Sequence, residues 1–187
     1  MSENWDNPST LFKIADEIGH NRLFGFRYTR YIKTLGLKGD EDLLDFGSGS
    51  GAGSKYIAES LQNGGHLTCV DTSRYWTAKA QERMREYNNV SFYTDPLPDL
   101  NFPAKRFDVI YIHYALHEVP ENLREEIVRE FYRILKPDGH LYVKEPQRSY
   151  DGMSVKEIRR LMSSNDFTEY YSSEKSGAFS GVYTKSK

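Results

Sequence analysis

The residues best suited to chemistry in this sequence follow an apolar run, in the segment LLDFGSGSGAGSK at residues 43–55. Its four glycines leave the backbone bare, and a bare backbone lets a ligand come close. An acidic residue, Asp45, precedes the first glycine by two positions. The segment predicts a ligand-binding turn between a strand and a helix. Nucleotide phosphates, dinucleotides and sulfonium cofactors are the three ligand classes to consider.

Spacing excludes a phosphate-binding loop of the GxxxxGK[S/T] type. In that loop a lysine directly follows the last glycine, because the lysine must reach the outer phosphates, and a hydroxyl residue comes next. Here Ser54 separates Gly53 from Lys55, and Tyr56 takes the hydroxyl position.

The dinucleotide pattern GxGxxG/A is satisfied by Gly47, Gly49 and Ala52. Asp71 ends the second apolar run about 20 residues beyond the turn, where a carboxylate binds ribose hydroxyls in such folds. Any adenosine cofactor on a doubly wound sheet shares these features. An NAD-dependent oxidoreductase therefore stays open as an alternative.

The charge of Asp45 separates the two remaining ligand classes. A carboxylate beside the turn would repel a pyrophosphate, whereas it would attract the ammonium and the sulfonium of S-adenosylmethionine. The alternative is that Asp45 only caps the turn by accepting backbone N–H bonds. The charge pattern favours S-adenosylmethionine.

Strand-like and helix-like segments alternate around these residues, which predicts βαβ units and a parallel sheet covered on both faces. After the fifth strand come one short helix and two strand-like runs joined by a glycine turn, which predict an antiparallel hairpin. Residues 136–139, Lys-Pro-Asp-Gly, predict a turn that ends the third helix. The predicted strands are 42–46, 66–71, 90–95, 107–114, 140–145, 167–173 and 179–185, and the main helices are 54–62, 74–87 and 121–135.

The predicted organisation is one compact domain at residues 40–187, preceded by a helical extension at residues 1–39, where apolar residues recur at helical spacing. Aromatic and cationic residues of the extension suggest a lid over the cofactor, with Arg27 or Tyr28 near its methionine end. The alternative is an amphipathic helix that faces the core.

Composition narrows the partners and the compartment. The net charge is -2, so neither nucleic acid nor a membrane is an expected partner. The only cysteine, Cys69, excludes an intramolecular disulfide and a cysteine-rich zinc site. No apolar run approaches the roughly 20 residues of a membrane span, and the N-terminus lacks the order of a secretory signal. A cytoplasmic location is predicted, and the oligomeric state stays open.

Taken in order, the motifs resemble the class I S-adenosylmethionine-dependent methyltransferases, in particular small domains of type 11 or 25. The similarity runs from about residue 40 to the end. The matching segments are LLDFGSGSG, CVDTS, SFYTDPLPDLNFPAKRFDVIYIHYALHEV and ILKPDGHLYVKEP. The resemblance implies an α/β, doubly wound, Rossmann-like sheet of about seven strands, mostly parallel, with a C-terminal antiparallel hairpin whose last strand lies beside the fifth.

The resemblance also implies the activity and the roles of individual residues. The expected reaction is methyl transfer from S-adenosylmethionine to a small-molecule acceptor. Asp71 would accept from the ribose hydroxyls, and Asp95 from the adenine amino group, although Thr-Asp-Pro replaces the family's common Gly-Asp-Ala. The candidate cofactor-binding residues are Tyr28, Asp45, Phe46, Gly47, Ser48, Gly49, Asp71, Thr72, Trp76, Asp95, Pro96 and His113.

His113 and His117 are four residues apart, but they follow a strand-like run and Pro120 soon interrupts, so no helical metal site is predicted. His117 is the candidate general base for an oxygen or nitrogen nucleophile. The alternative is a loop histidine with ordinary hydrogen bonds. Because methyl transfer from a sulfonium depends chiefly on alignment and exclusion of water, no dedicated base is required. A catalytically silent cofactor-binding or partner-activating domain is the remaining alternative.

Overall fold

Strands and helices alternate along the chain much as the apolar runs predict. The computed structural model describes Pro8, residues 25–148 and residues 151–186. The helices are α1 Gly25–Lys33, α2 Ser54–Ser60, α3 Arg74–Arg83, α4 Glu121–Ile134 and α5 Val155–Ser163, with 3₁₀ turns at Leu97–Leu100 and Leu116–Glu118. The strands are β1 Asp42–Phe46, β2 His66–Val70, β3 Val90–Tyr93, β4 Phe107–His113, β5 Leu135–Arg148, β6 Asp151–Gly152, β7 Phe167–Lys175 and β8 Ala178–Lys185.

The strands form a mixed sheet in the order β3-β2-β1-β4-β5-β8-β7, and the two-residue β6 pairs with β5 outside this order. The pairs β1/β4, β2/β3 and β4/β5 are parallel, whereas β5/β8 and β7/β8 are antiparallel. The order changes direction at β1, and open α/β sheets bind ligands beyond the carboxyl ends of the strands at such a switch point. The predicted fold class is confirmed, including the hairpin whose last strand lies beside β5.

The central strands are apolar because helices cover them. Leu43 and Leu44 in β1 and Ile110 and Ile112 in β4 have no exposed surface. Burying one such side chain contributes about 1.5–3 kcal/mol. Helix α4 buries residues at helical spacing, which matches the apolar stripe of a helix lying on a sheet. These are Ile127, Val128, Phe131 and Ile134.

The segment from Lys136 to Gly139 is a correction to the sequence prediction. Helix α4 does end at Ile134, but no turn follows, since β5 begins at Leu135 and continues through this segment. The pairing of β5 with β4 changes register here. A Cβ on Gly139 would lie 2.8 Å from the carbonyl oxygen of Asp108, so glycine permits a close approach of the two strands. The proline and the glycine mark an irregular strand rather than a turn.

Contacts divide the chain into two units. The first contains Met1–Glu41 and Ser48–Asp95, and the second contains Asp42–Gly47 and Pro96–Lys187. The predicted boundary between a helical extension at residues 1–39 and a domain at residues 40–187 does not coincide with these units, and it stays a prediction. Of the predicted N-terminal extension, residues 1–7 and 9–24 lie outside the described residues, as does the side chain of Arg27. Among the helices that the structure describes, none is long and apolar enough to cross a membrane.

Candidate functional site

In the first unit, two glycines of the turn have positive φ angles for different reasons. Gly49 has φ +52° and Gly51 has φ +73°, a backbone region that favours glycine. A Cβ on Gly51 would lie 2.8 Å from the Cε of Met84 and 3.1 Å from the Cβ of Ala80, whereas no described atom lies within 4 Å of one on Gly49. Gly51 is required by close packing, whereas the space beside Gly49 is open as far as residues 25–148 and 151–186 are concerned.

Asp71 binds the turn to the end of β2. Its Oδ2 accepts the N–H of Gly49 at 2.7 Å, and its Oδ1 accepts the N–H of Ser73 at 2.9 Å. The side chain is half-buried. A carboxylate oxygen can accept two hydrogen bonds, so these contacts are compatible with a ligand hydroxyl at the same oxygen. Asp71 therefore organises the turn and has the chemistry to bind ribose. On the turn itself, the N–H of Ser48 donates to the carbonyl of Val70 at 3.3 Å.

Arg83 at the end of α3 binds the middle of the turn. Its Nη1 donates to both the carbonyl oxygen and the Oγ of Ser50, each at 2.7 Å. Hydrogen bonds from a guanidinium are stronger than neutral ones. Sequence reasoning missed Arg83, because a cation in an amphipathic helix usually lies on the solvated face. Its only sequence signal is its place near the end of the helix that follows Asp71.

The other candidates of the first unit have mixed environments. Thr72 is exposed, and Asp95 is exposed beyond the end of β3, which ends at Tyr93 rather than at residue 95. Trp76 is 6% exposed and packs edge-on against Tyr75, with ring centroids 4.9 Å apart. Burial of this indole indicates a packing role for Trp76.

Tyr28 places α1 against the start of α2, also within the first unit. Its ring stacks on Tyr56, with centroids 6.2 Å apart and 13° between the planes. A Cβ on Gly53 would lie 3.2 Å from the Tyr28 ring. The described part of the predicted lid thus packs on the helix that follows the glycine turn. Closure over a cofactor stays a prediction.

In the second unit, the residues at the end of β1 are closely packed. Asp45 is 3% exposed. The ring of Phe46 is half-buried and packs edge-on against Phe131 of α4, with ring centroids 5.0 Å apart. Gly47 has φ +72°, and a Cβ there would lie 2.2 Å from the Cβ of Ala115. Only glycine allows β1 to leave the sheet so close to the loop after β4.

The end of β4 carries an aromatic stack and an unusual backbone. The ring of His113 stacks with those of Tyr111 and Tyr114, at centroid distances of 5.9 Å and 4.4 Å. Tyr114 has φ +59° and is 43% exposed, and its N–H donates to the carbonyl of Lys144 at 2.8 Å. Positive φ is rare for a bulky residue, and such outliers cluster at functional sites. Sequence reasoning missed Tyr114, since positive φ leaves no local pattern. Pro96, also in this unit, is exposed before the first 3₁₀ turn.

A buried carboxylate on β5 binds three consecutive residues of the loop after β4. Glu145 has no exposed surface. Its Oε1 accepts the N–H groups of Ala115 at 3.2 Å and Leu116 at 2.8 Å, and its Oε2 lies 2.6 Å from the Nδ1 of His117. The Nε2 of His117 lies 3.1 Å from a carboxylate oxygen of Glu118. Sequence reasoning missed Glu145; an acidic residue in the apolar run HLYVKEP was the available signal, since buried charges need partners.

These carboxylates determine the protonation state of His117. Burial alone lowers the pKa of the imidazole, but hydrogen bonds to Glu118 and Glu145 and their negative charges raise it to about 9. At neutral pH His117 is therefore protonated, with a carboxylate at each ring nitrogen. A group in this state cannot accept a proton from a substrate, so the environment disfavours the predicted role of general base.

The sequence predicts no metal site, and we therefore consider clusters of possible metal ligands in the structure. Within residues 25–148 and 151–186, no group of three His, Cys, Asp or Glu side chains could hold a metal ion. The absence of a metal from the reaction stays a prediction.

A parallel sheet with a glycine turn after β1 and an acidic residue after β2 defines the class of proteins that bind adenosine cofactors. A family model described as a methyltransferase domain matches residues 43–139, more than half of the chain. The chain belongs to this family. The resemblance to class I S-adenosylmethionine-dependent methyltransferases is confirmed, and the predicted cofactor agrees with the family.

Individual relatives are more distant. A demethylmenaquinone methyltransferase of Listeria welshimeri is 30% identical over 112 residues, which are 59% of this chain and 47% of that protein. The chain spans about half the length of the curated relatives it matches first.

Two solved structures cover more of the chain. A TehB-like S-adenosylmethionine-dependent methyltransferase of Corynebacterium glutamicum has a TM-score of 0.74 at 17% identity, with 94% of each chain covered. A 1,6-didemethyltoxoflavin-N1-methyltransferase of Burkholderia thailandensis, solved with S-adenosylhomocysteine, has a TM-score of 0.71 at 18% identity and covers 95% of this chain and 87% of its own. At these identities the likeness shows the fold alone.

Proposed function

We propose that this chain transfers a methyl group from S-adenosylmethionine to a small-molecule acceptor. The observation that carries the proposal is the pairing of Gly49 with Asp71. No atom of the described residues would lie within 4 Å of a Cβ on Gly49, and the N–H of Gly49 donates to the carboxylate of Asp71. An open backbone beside a carboxylate suits a cofactor with ribose hydroxyls and a cationic end. These residues therefore fit S-adenosylmethionine.

Residues of the first unit would bind the cofactor chiefly through backbone and carboxylate groups. Gly49, beside Ser48, lets the cofactor approach the backbone because it has no side chain, and Asp71 accepts from the ribose hydroxyls. Thr72 and Asp95 are exposed and available to hydroxyl and amino donors. Arg83 keeps the turn in the binding conformation through Ser50. Trp76 supports the site by packing.

Residues of the second unit have separate proposed roles. Asp45 supplies negative charge suited to an ammonium or a sulfonium. Gly47 and the backbone of Phe46 leave room for the methionine part of the cofactor. His113, at the end of β4, is oriented by its two tyrosine neighbours. Pro96 ends the connection from β3 with a fixed φ.

The chain's own contribution to the reaction is alignment and exclusion of water. When bound, S-adenosylmethionine supplies a methyl group on a positively charged sulfur, already activated for transfer. Holding reactants in line removes much of the entropic barrier. His117 keeps its proton and is not assigned the role of base, for the reason given by its raised pKa.

A small-molecule acceptor is supported by two kinds of observation. Two similar proteins are named for small acceptors, demethylmenaquinone and 1,6-didemethyltoxoflavin. The net charge of -2 offers little attraction to nucleic acid, whose binding depends on neutralised phosphates. From these proteins we infer for this chain only the class of acceptor, a small molecule, and not a particular compound. The cytoplasmic location stays a prediction.

Calorimetry with the purified full chain tests the proposal. S-adenosylmethionine and S-adenosylhomocysteine are expected to bind, and NAD is not. Release of S-adenosylhomocysteine in the presence of a panel of small alcohols, amines and carbon nucleophiles would then establish turnover. Tight binding of NAD without binding of S-adenosylhomocysteine would overturn the proposal. Binding without product release across the panel would instead favour the catalytically silent alternative.

A further inference from the structure

The starting observation is a single buried side chain that binds a whole turn. Glu145 is fully buried, and burying an ionised carboxylate is costly unless it is hydrogen-bonded and paired with a positive charge. Its two oxygens contact Ala115, Leu116 and His117, three residues in succession. Because all three contacts are made by one side chain of β5, they hold the turn that follows β4 against that strand.

The bound turn contacts the first glycine of the cofactor-binding segment. Gly47 and Ala115 approach so closely that a Cβ on Gly47 would lie 2.2 Å from the Cβ of Ala115. The strands that carry these residues, β1 and β4, are parallel neighbours at the switch in strand order. A displacement of Ala115 would therefore change the surroundings of Gly47 directly.

Charged groups from three further elements of the fold lie near the imidazole of His117 or its backbone. Glu118, in the same 3₁₀ turn, lies at Nε2, and Glu145 of β5 lies at Nδ1. From α4, Arg124 donates to the carbonyl oxygens of His117 at 2.8 Å and Val119 at 2.8 Å. Glu157 of α5 binds that same arginine at 2.5 Å. The two carboxylates at the ring favour the imidazolium form, and Glu157 offsets the positive charge of Arg124, which by itself would oppose it.

We propose that Glu145 and His117 form a positioning pair, which fixes the turn after β4 against Gly47 and so preorganises the start of the cofactor-binding segment. The pair acts through Ala115 and does not take a proton from the acceptor. The inference rests on the proposed function, because it concerns the binding of the same cofactor. It assigns to His117 a role different from that of a general base.

A variant series separates positioning from proton transfer. His117→Ala removes the donor to Glu145, whereas His117→Asn keeps an N–H donor near the position of Nδ1 and has no basic nitrogen. We expect His117→Ala to weaken S-adenosylhomocysteine binding by about tenfold, since preorganisation is lost, and His117→Asn to recover most of that loss. His66→Ala, at a half-buried histidine of β2 that contacts Ser91, is the matched control and should bind normally.

Two results would overturn the positioning pair. One is normal S-adenosylhomocysteine affinity in a folded His117→Ala protein. The other is a His117→Asn protein that binds as poorly as His117→Ala. A general base would give a different pattern, because His117→Asn would then bind S-adenosylhomocysteine normally, as would His117→Ala, while turnover was lost.

A measurement on the ligand-free protein keeps the inference testable if the alanine variant does not fold. Hydrogen exchange at the amides of Ala115 and Leu116 should be slow in the wild-type chain and at least about tenfold faster in Glu145→Gln, whose neutral amide cannot pair with the imidazolium. Equal exchange in both proteins would overturn the pair. Failure of the wild-type chain to bind S-adenosylhomocysteine would instead count against the proposed function, with slow exchange at these amides still supporting the turn contact.

Discussion

Two loops of this protein are each organised by a carboxylate that accepts backbone N–H bonds, and the two carboxylates differ in their surroundings. Asp71, in the first unit, accepts from Gly49 and Ser73 and is half-buried. Glu145, in the second unit, accepts from Ala115 and Leu116, has no exposed surface and pairs with His117.

The difference separates a carboxylate suited to binding from one suited to structure. A buried carboxylate needs a cationic partner, so most of the hydrogen-bonding capacity of Glu145 is used within the protein. A half-buried carboxylate remains hydrated and can exchange water for ligand hydroxyls at modest cost. Similar backbone contacts therefore serve a ligand in one loop and a fixed conformation in the other.

Substitution of Gly47 by alanine should give the largest effect and test how firmly the second loop is fixed. The new Cβ would clash with Ala115, which cannot move freely because Glu145 binds it. Overpacking of about 1–3 kcal/mol and a strained positive φ of about 1–2 kcal/mol predict a loss of about 2–5 kcal/mol in the free energy of unfolding. Urea denaturation measures this loss.

The matched variant is Gly49→Ala, whose Cβ would meet no atom of the described part of the chain within 4 Å. The cost of a positive φ for alanine should lower the free energy of unfolding by only about 1–2 kcal/mol. The new methyl group should also weaken the binding of S-adenosylhomocysteine, because it fills space that the ligand needs. The double variant Gly47→Ala/Ala115→Gly should regain part of the lost stability. Equal stability of the two single variants would contradict the distinction between the loops.

The stability of the second loop should depend on pH through His117. The pKa of this group is raised in the folded state, from 6.5 to about 9, so the folded protein binds more protons than the unfolded chain between these values. The stabilisation is fully present below pH 6.5 and is lost as the pH rises through 9, by up to about 3 kcal/mol.

Urea unfolding of the wild-type chain and of His117→Asn, from pH 6 to pH 10, isolates this contribution. The difference between the two proteins should shrink across the window, since the variant has no titrating group at residue 117. Parallel curves would show that the imidazole does not carry the raised pKa.

Asp71→Ala should weaken the binding of S-adenosylhomocysteine by about 1.5–3 kcal/mol, because a charged acceptor for the ribose hydroxyls is removed. Asp71→Asn, which keeps an acceptor oxygen without the charge, should fall between the wild type and the alanine variant. Asp99→Ala, at an exposed aspartate of the first 3₁₀ turn, is the control. Unaltered affinity in calorimetry of Asp71→Ala would show that the ribose-binding residue lies elsewhere.

Arg83→Ala should have the smallest effect, a loss of about 0.5–1 kcal/mol in the free energy of S-adenosylhomocysteine binding, because Arg83 acts on the turn only through Ser50. Arg83→Lys keeps one cationic donor and should lose less. If calorimetry showed that Arg83→Ala binds S-adenosylhomocysteine more weakly than Asp71→Ala does, the conformation of the turn would matter more for binding than the carboxylate.

Local patterns predicted the parts of the fold that local sequence determines. Strands β1, β2 and β4 lie within a residue of their predicted bounds, because a strand covered on both faces needs a continuous apolar run. The start of β5 was missed, since Pro137 and Gly139 signal a turn by their own conformational preferences. In the structure β5 begins at Leu135, which pairs with Phe107 of β4, and the register with β4 resumes at His140.

The candidate site divides in the same way. Asp71 was predicted because its role follows from its place at the end of a strand near a glycine turn. Glu145 was missed because its partners, Ala115, Leu116 and His117, lie 28–30 residues earlier in the chain. No local pattern joins residues so far apart.

By itself, then, the amino-acid sequence determined the family, the alternation of strands and helices, the glycine turn and the acidic residue after β2, all of which depend on neighbours within a few residues. Only the tertiary structure decided which carboxylate is buried, which glycines are required by packing and whether His117 carries a proton. Burial and pKa depend on the groups that folding brings together from distant parts of the chain.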